Sequence, residues 1–214
     1  LAKLEILGAS GYCGINDAGI IQCINLKSLD ISGNQRITNI NHIVNLEILN
    51  VAGFCGISDI GITCHTILKS LNAAHNRKIT TVNHLMQLEL LNAYGNCGIN
   101  NAGLMNCINL ISLDASCNQN ITNVNHLVKL EMLNARYDCG INDAGIMHCI
   151  NLKSLNASDN QKITNVNHLV KLEILDAFGY CGINDIGMMH CINLKSLNAA
   201  NNSKITNINK LPKH

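Results

Sequence analysis

The chain has 214 residues, of which 14% are charged, and its formal net charge at pH 7 is +1. A balance this close to neutral leaves no basic stripe for nucleic acid and no polybasic patch for a membrane surface. The apolar runs, such as residues 19–24, are too short to cross a bilayer, and the first residues lack the blocks of a signal peptide. We therefore expect no nucleic-acid partner and no membrane insertion.

From Leu4 onward the sequence repeats at a fixed period without an insertion. The quartet at residues 4–7, Leu-Glu-Ile-Leu, returns in similar form at residues 46, 88, 130 and 172. Such self-similarity is the mark of a solenoid, in which each unit buries its apolar side against its neighbours. The pattern predicts one domain over 1–214, built from five double units that start at 4, 46, 88, 130 and 172, with no linker and no clear caps.

Each double unit contains the leucine pattern twice, in a long half and a short half, which gives ten short repeats; in the first double unit the halves are 4–25 and 26–45. In the short half, Leu29 and Ile31 alternate with polar residues, which predicts a strand with the apolar side chains inward. In the long half, Asn16 or Asp17 can cap a short helix that runs towards Cys23. The short half carries Thr-Asn-x-Asn-His instead, which favours turns or a single 3₁₀ turn.

The short half, which reads LKSLDISGN over residues 26–34 and continues to Ile37, resembles the leucine-rich repeat L-x-x-L-x-L-x-x-N-x-x-I, most closely the short internalin-type variety. The long half, with CGINDAGI at 13–20, is similar to the cysteine-containing repeats of F-box substrate receptors. This resemblance covers residues 4–211. It implies an α/β leucine-rich-repeat solenoid, a curved right-handed coil with a parallel β-sheet on the concave face and short helices or 3₁₀ turns on the convex face. No F-box precedes Leu4, so these residues alone do not imply a ubiquitin ligase.

Three residue types recur in columns that could carry chemistry. We assign the asparagines after the short-half strands to the scaffold, because a buried amide there can pair with backbone groups of adjacent turns; they are Asn34, Asn76, Asn118, Asn160 and Asn202.

Sulfur atoms of one cysteine column should lie about 9.6 Å apart, twice the strand spacing, which is beyond the reach of a disulfide. We therefore expect the eleven cysteines to be free, mostly buried thiols, with Cys117 facing solvent and reacting first. Free thiols favour a reducing, cytoplasmic compartment.

The histidines of the short halves, His42, His84, His126 and His168, are expected to be exposed turn residues. Like the cysteines, they are spread along the repeat and do not converge, so the sequence predicts no metal site and no cofactor. An enzyme would need converging acid, base or nucleophile groups, and the sequence predicts none.

All four tyrosines and both phenylalanines fall in one three-residue window of the unit, at the strand end of the long half. A second variable pair of positions lies beside this window in the short half. Core positions must keep their shape, and large aromatic rings are typical of interface centres, so we predict a ligand-binding stripe at this edge of the concave sheet. In the alternative interpretation, Tyr12, Phe54 and Tyr180 merely cover the sheet edge. The predicted stripe consists of Tyr94, Arg136, Tyr137, Phe178, Tyr12, Tyr180, His75 and Asp159, and the side chains at 94, 136 and 178 should leave the sheet outward.

These features favour a non-catalytic recognition module for a protein or peptide. A structural or self-assembling scaffold is an alternative, favoured by the regular outward Ser, Asn and Asp columns. A second alternative is the substrate-recognition part of a ubiquitin-ligase-type receptor whose F-box is absent from this chain. Because so few residues precede Leu4, we also expect either a fragment of a longer protein or end-to-end self-association.

Overall fold

The structure is a computed structural model that describes residues 3–208. The chain divides between Leu110 and Ile111 into two compact units, here called unit 1 and unit 2. The single domain over 1–214 stays a prediction. The predicted lack of caps concerns the chain ends, and residues 1–2 and 209–214 lie outside the described residues.

In the described part of unit 1, five short strands pair in parallel and in chain order. They are β1 (Ile6–Gly8), β2 (Ser28–Asp30), β3 (Ile48–Asn50), β4 (Ser70–Asn72) and β5 (Leu90–Asn92). The register places Leu7 opposite Leu29, and Leu29 opposite Leu49. An α-helix at Asp17–Ile20 and 3₁₀ helices at Asp59–Ile62 and Ala102–Leu104 follow the long-half strands.

The described part of unit 2 repeats this arrangement. Its strands are β6 (Ser112–Asp114), β7 (Met132–Asn134), β8 (Ser154–Asn156), β9 (Ile174–Asp176) and β10 (Ser196–Asn198), again parallel and in chain order. An α-helix at Asp143–Ile146 and a 3₁₀ helix at Ile186–Met188 follow the long-half strands. We number the ten coils of the chain after their strands. The predicted leucine-rich-repeat solenoid, with a parallel sheet and short helices, is confirmed.

The core of each unit consists of stacked aliphatic side chains. Leu29, Ile31, Ile37 and Ile40 are fully buried in one coil, as the strand alternation predicted. The strand residues equivalent to Leu29 and Ile31 are also buried in the third to ninth coils, whereas Leu7 in the first coil and Leu197 in the tenth are half-buried. Each such side chain contributes about 1.5–3 kcal/mol on burial. Shared apolar layers therefore hold each unit together.

Within each unit, a buried asparagine joins a short half to the long half before it. In unit 1 the Asn34 side-chain amide donates to the carbonyl oxygens of Ala9 (2.8 Å) and Ile15 (3.2 Å). Its Oδ1 accepts hydrogen bonds from the backbone N–H groups of Arg36 and Ile37. Asn160 in unit 2 makes the equivalent bonds to Ala135, Ile141 and Lys162. These contacts confirm the scaffold assignment of this column.

In every double unit except the third, which has Asn101, an acidic residue at the start of the long-half helix makes a second connection between coils. Asn16 caps the first helix, with its Oδ1 accepting from the Gly19 N–H, as predicted. Asp17 instead reaches the next coil, where its carboxylate accepts from the Thr38 N–H and Oγ1 at 2.8 Å each and from the Asn39 N–H. Partial burial would raise the pKa of Asp17, but these hydrogen bonds lower it below the ordinary value.

The expectation that the short-half histidines are exposed is wrong, because His126 and the other three are all half-buried. His42, His84 and His168 are half-buried, and each Nε2 lies 3.0–3.1 Å from the carbonyl oxygen of the last helical residue in the preceding coil. Sequence could not place them there because the two partners are 22 residues apart. These imidazoles are therefore part of the coil-to-coil bonding.

Candidate functional site

The outward face of each sheet carries an exposed apolar column on every second strand. This apolar sheet column consists of the first strand residue of each long half, exposed by 44–72%: Ile6, Ile48 and Leu90 in unit 1, and Met132 and Ile174 in unit 2. Serines occupy the same position on the strands between, so neighbouring members of the column lie about 9.6 Å apart. Side chains of this size with half their surface in water on a sheet face are typical of an interaction surface.

Beside it, two residues further along each strand, runs a polar sheet column of Asp and Asn. In each of these residues from Asp30 to Asn198, with one exception, the side-chain Oδ1 accepts from the backbone N–H two residues on, at 2.9–3.2 Å. In unit 2 the column holds two carboxylates, Asp114 and Asp176, and the amides of neighbouring coils donate to them. The sheet face of unit 2 is therefore apolar along one line and acidic along the next.

The exception is Asn134 in coil seven. Within the described residues its Oδ1 is buried without a hydrogen-bond partner, and so is the Nε of Arg136, two residues on. The backbone N–H of Arg136 donates instead to Ser116 Oγ at 3.4 Å. One acceptor and one donor, close in sequence on the same sheet face, thus have no partner within the protein, which is rare for buried polar atoms.

Tyr137 packs against Arg136, one member of this pair. The Arg136 guanidinium lies 4.7 Å from the Tyr137 ring centroid, and its Nη2 donates to the Tyr137 hydroxyl. This hydrogen bond raises the pKa of Arg136, and the charges of Asp114 and Asp176 raise it further. Arg136 is therefore a permanent cation held between the tyrosine ring and the acidic column.

In unit 1, two of the predicted stripe residues touch each other. His75 and Tyr94 pack edge to face with ring centroids 4.9 Å apart, and the His75 N–H donates to the Tyr94 carbonyl oxygen at 2.9 Å. Tyr94 is half-buried and lies outside the core. Tyr12, three coils before His75, is fully exposed. Unit 1 therefore contains a small aromatic contact and an isolated tyrosine rather than a continuous stripe.

In unit 2, Asp159 joins two more of the predicted residues. Its backbone N–H donates to the Phe178 carbonyl oxygen, and its Oδ1 accepts from the Tyr180 N–H, both at 2.9 Å. Phe178 is half-buried, whereas the Tyr180 side chain is 78% exposed and borders a shallow pocket with Gln161 and Lys204. The exposure of Tyr180 and of Tyr12 argues against a mere covering role, because rings that cover an edge lose their own accessible surface.

Three residues after the end of each strand, the turn imposes a left-handed backbone. Glycine occupies this position in five coils, but His75, Cys117, Tyr137, Asp159 and Asn201 hold it with φ between 57° and 59°. A bulky side chain in this conformation costs about 1–2 kcal/mol. His75, Tyr137 and Asp159, all predicted site residues, therefore carry backbone strain that the repeat does not require.

The thiols and imidazoles do not converge on one point. Burial raises the pKa of the Cys97, Cys107, Cys139, Cys149 and Cys191 thiols to about 11, which makes them unreactive at neutral pH. Cys64 is exposed and Cys117 only half-buried, so Cys64 replaces Cys117 as the most accessible thiol. The described residues contain no cluster of three or more His, Cys, Asp or Glu able to hold a metal ion. Across residues 3–208 no helix is long and apolar enough to span a bilayer.

Sequence reasoning missed two features of this face. The apolar sheet column was visible as the third residue of each Leu-Glu-x-Leu quartet, which is always Ile, Leu or Met. It was overlooked because only positions that vary between units were considered. The unpaired atoms of Asn134 and Arg136 left no sequence signal beyond the replacement of Gly by Tyr137, since they depend on side-chain geometry.

No protein-family model and no curated protein sequence matches the chain. Three solved structures of internalins from Listeria monocytogenes resemble it. InlF has a TM-score of 0.70 at 23% identity, over 96% of this chain and 68% of that one. InlC2 has a TM-score of 0.53 at 22% identity, over 91% of this chain and 80% of that one. The functional domain of InlJ, described as including a cysteine ladder, has a TM-score of 0.51 at 19% identity. It covers 97% of this chain, which spans only 56% of that one. At these identities the likeness concerns the fold, and the chain is a leucine-rich-repeat protein by its architecture.

Proposed function

We propose that this chain is a non-catalytic recognition module that binds a protein or peptide on the outward face of its sheet. The observation that carries this proposal is the apolar sheet column, whose members are 44–72% exposed although each stands in a regular strand. Burying such side chains against a partner contributes about 25 cal/mol per Å² of apolar surface. A scaffold without a partner gains nothing from exposing them.

The charges of this face indicate the chemistry of the partner. In unit 2 the apolar column runs beside Asp114 and Asp176, and the sheet edge adds Asp138 and Asp159, with Arg136 as the single cation among them. A segment with alternating apolar and cationic side chains would match both columns, because complementary charges steer association and exclude wrong partners. The partner is therefore an extended, basic segment of a protein or a peptide.

Coil seven would fix the position of such a segment. The unpaired Arg136 Nε can donate to a carbonyl oxygen, and the unpaired Asn134 Oδ1 can accept from an N–H. A peptide group offers both, whereas a carboxylate would lie close to Asp114 and Asp176. The Tyr137 ring, which packs on the Arg136 guanidinium, must move aside for this contact. Met132 on the same strand and Ile174 two strands further on would take the apolar side chains.

Two further features remain part of this proposal. The free cysteines of the described residues fit a protein that works in a reducing compartment, such as the cytoplasm. The likeness of the long halves to F-box receptor repeats keeps a ubiquitin-ligase-type receptor as an alternative. Assembly as a structural scaffold, including end-to-end association, is the other alternative, and the serine and asparagine columns favour it.

A displayed library of random twelve-residue peptides tests the proposal. We expect selection on the full chain to enrich peptides that combine Lys or Arg with Leu, Ile or Val. Their binding should fall at least tenfold for Ile174→Ser. The matched control is Ile192→Ser, since Ile192 is an isoleucine of similar exposure, 46% against 50%, but does not lie on the sheet face. No enrichment, or an equal loss in both variants, would overturn binding on this face.

A further inference from the structure

Unit 1 has a second exposed apolar surface, formed by the turns that lead into its strands. The residues four positions before a strand are Ile24, Val44, Met86 and Ile108, each 50–53% exposed. Ile21 and Met105, three residues earlier in their coils, add side chains that are 54% and 64% exposed. We call residues 21–25, 41–45, 63–67, 83–87 and 105–109 the turn face of unit 1.

The turn face is continuous rather than a scatter of single side chains. The first four segments keep the same offset from strands that pair in register, so their side chains in successive coils lie about 4.8 Å apart. The fifth segment is bound to the fourth, since the Asn106 N–H donates to Asn83 Oδ1 at 3.0 Å and the Asn109 amide donates to the Met86 carbonyl oxygen at 2.8 Å. Only the third coil interrupts the aliphatic row, where Thr66 stands in place of Ile or Val. A row of this kind exceeds the isolated apolar side chains that a soluble surface tolerates, and it indicates a protein contact.

The charge of this surface indicates its partner. The five segments contain no Asp, Glu, Lys or Arg, and their amides and aliphatic side chains have no charge that an ionic partner could complement. In unit 2 the same positions carry Lys129 and Lys171, and His148 and His190 lie beside Ile150 and Ile192. A second copy of the unit 1 turn face meets the first without like-charge repulsion, whereas the cationic unit 2 surfaces would repel each other.

We propose that two copies of this chain associate through the turn faces of unit 1, related by a two-fold axis. Such a contact is isologous, so the rows of the two copies run antiparallel and the middle coil of one faces the middle coil of the other. The third of the five coils carries Cys64, which is exposed. The two Cys64 thiols therefore lie near the axis, where each faces its counterpart.

Light scattering over a concentration series tests the association under reducing conditions. We expect a dimer for the unaltered chain and a loss of affinity of at least tenfold for Val44→Asp. The matched control is Val170→Asp, since Val170 holds the same short-half position in unit 2 and is 47% exposed against 51% for Val44. Circular dichroism confirms that both variants keep their fold. A monomer at all concentrations, or a dimer that survives Val44→Asp, overturns the proposal; end-to-end association would give the latter result.

Oxidation tests the register. Diamide, which takes up two protons and two electrons from a pair of thiols, should convert the dimer into a disulfide-linked species. Cys64→Ser should abolish this species, whereas Cys117→Ser should leave it unchanged. Absence of the Cys64 cross-link in a proven dimer overturns the two-fold register. Co-sedimentation of a monomeric chain with phosphatidylcholine vesicles would make a lipid surface the occupant of this face and overturn the pairing.

Discussion

Units 1 and 2 have the same repeat and the same internal bonding, but they differ at one core position, in the charge of their turns and on the outward face of the sheet. In unit 1, His65 occupies the core position at which unit 2 has Cys149 and Cys191, and the turn face is uncharged. In unit 2 the turn positions are cationic, the sheet face is acidic, and coil seven breaks the hydrogen-bond pattern of its own column. Because the other coils fold with the usual residue at the equivalent position, a residue that differs in one coil is not required for folding.

The largest effect should come from the part that the units share. Asn76→Ala in unit 1 and Asn160→Ala in unit 2 each leave two carbonyl oxygens and a backbone N–H without their partner. We expect either change to lower the free energy of unfolding by about 3 kcal/mol, since each unmet buried group costs about 1–3 kcal/mol. Urea unfolding measures this. The exposed Asn193→Ala is the control, and a clearly smaller loss in one unit than in the other would break the equivalence.

The next effect should distinguish the two units. Desolvation lowers the pKa of the buried His65 imidazole, whose Nδ1 lies 3.2 Å from the Ile62 carbonyl oxygen. The unfolded chain therefore takes up a proton near pH 6.5 before the folded chain does, and stability falls as the pH drops below that value. Between pH 7.5 and 5.5 we expect a loss of about 1 kcal/mol.

His65→Cys, which gives unit 1 the residue of unit 2, should remove this acid sensitivity. The exposed His148→Asn is the control and should keep it. Denaturant unfolding at both pH values provides the measurement, and an unchanged pH dependence in His65→Cys would show that another group is responsible.

A smaller effect of opposite sign is expected in coil seven. Tyr137→Gly relieves a left-handed backbone worth about 1–2 kcal/mol. This substitution also loses the cation–π contact and the exposed hydrogen bond with Arg136, which together contribute about 1 kcal/mol. We expect a net gain of about 0.5 kcal/mol in unfolding free energy. Tyr180→Gly is the matched control, because Tyr180 is an exposed tyrosine without a positive φ, and it should lose rather than gain stability. A loss of stability in Tyr137→Gly would contradict the strain.

The sequence predicted the parts of the molecule that follow from one repeating rule. Alternation at Leu29 and Ile31 predicted the strands, and the position of Asn34 after a strand predicted its buried amide. The bond from Asp17 to the next coil was not predicted, because its partner Thr38 lies 21 residues away and only the stacking of coils brings them together. The apolar sheet column was missed because Ile6 and Ile48 do not vary, although constancy on an exposed face was itself the signal.

The smallest effect concerns the thiols and needs no unfolding. Cys64 should react first with Ellman's reagent under native conditions, because it is exposed, and Cys117 should follow. The buried Cys97 and Cys139, with their pKa raised to about 11, should not react until the chain unfolds. Peptide mapping by mass spectrometry identifies the modified residue, and Cys64→Ser should remove the fast phase. A fast phase that survives this substitution would place the accessible thiol elsewhere.

The asparagine and aspartate contacts between coils also constrain how the gene can change in length. Asn34 reaches back 19 and 25 residues, and Asp17 reaches forward 21, so each bond joins a long half to a short half. After deletion or duplication of a whole double unit, each long half would still lie beside a short half, and every one of these bonds would re-form. Loss of a single half would instead place two halves of the same kind side by side and leave buried carbonyl oxygens without a hydrogen-bond donor. Tandem gain and loss of whole double repeats is thus the route by which such a gene can grow or shrink while its product still folds.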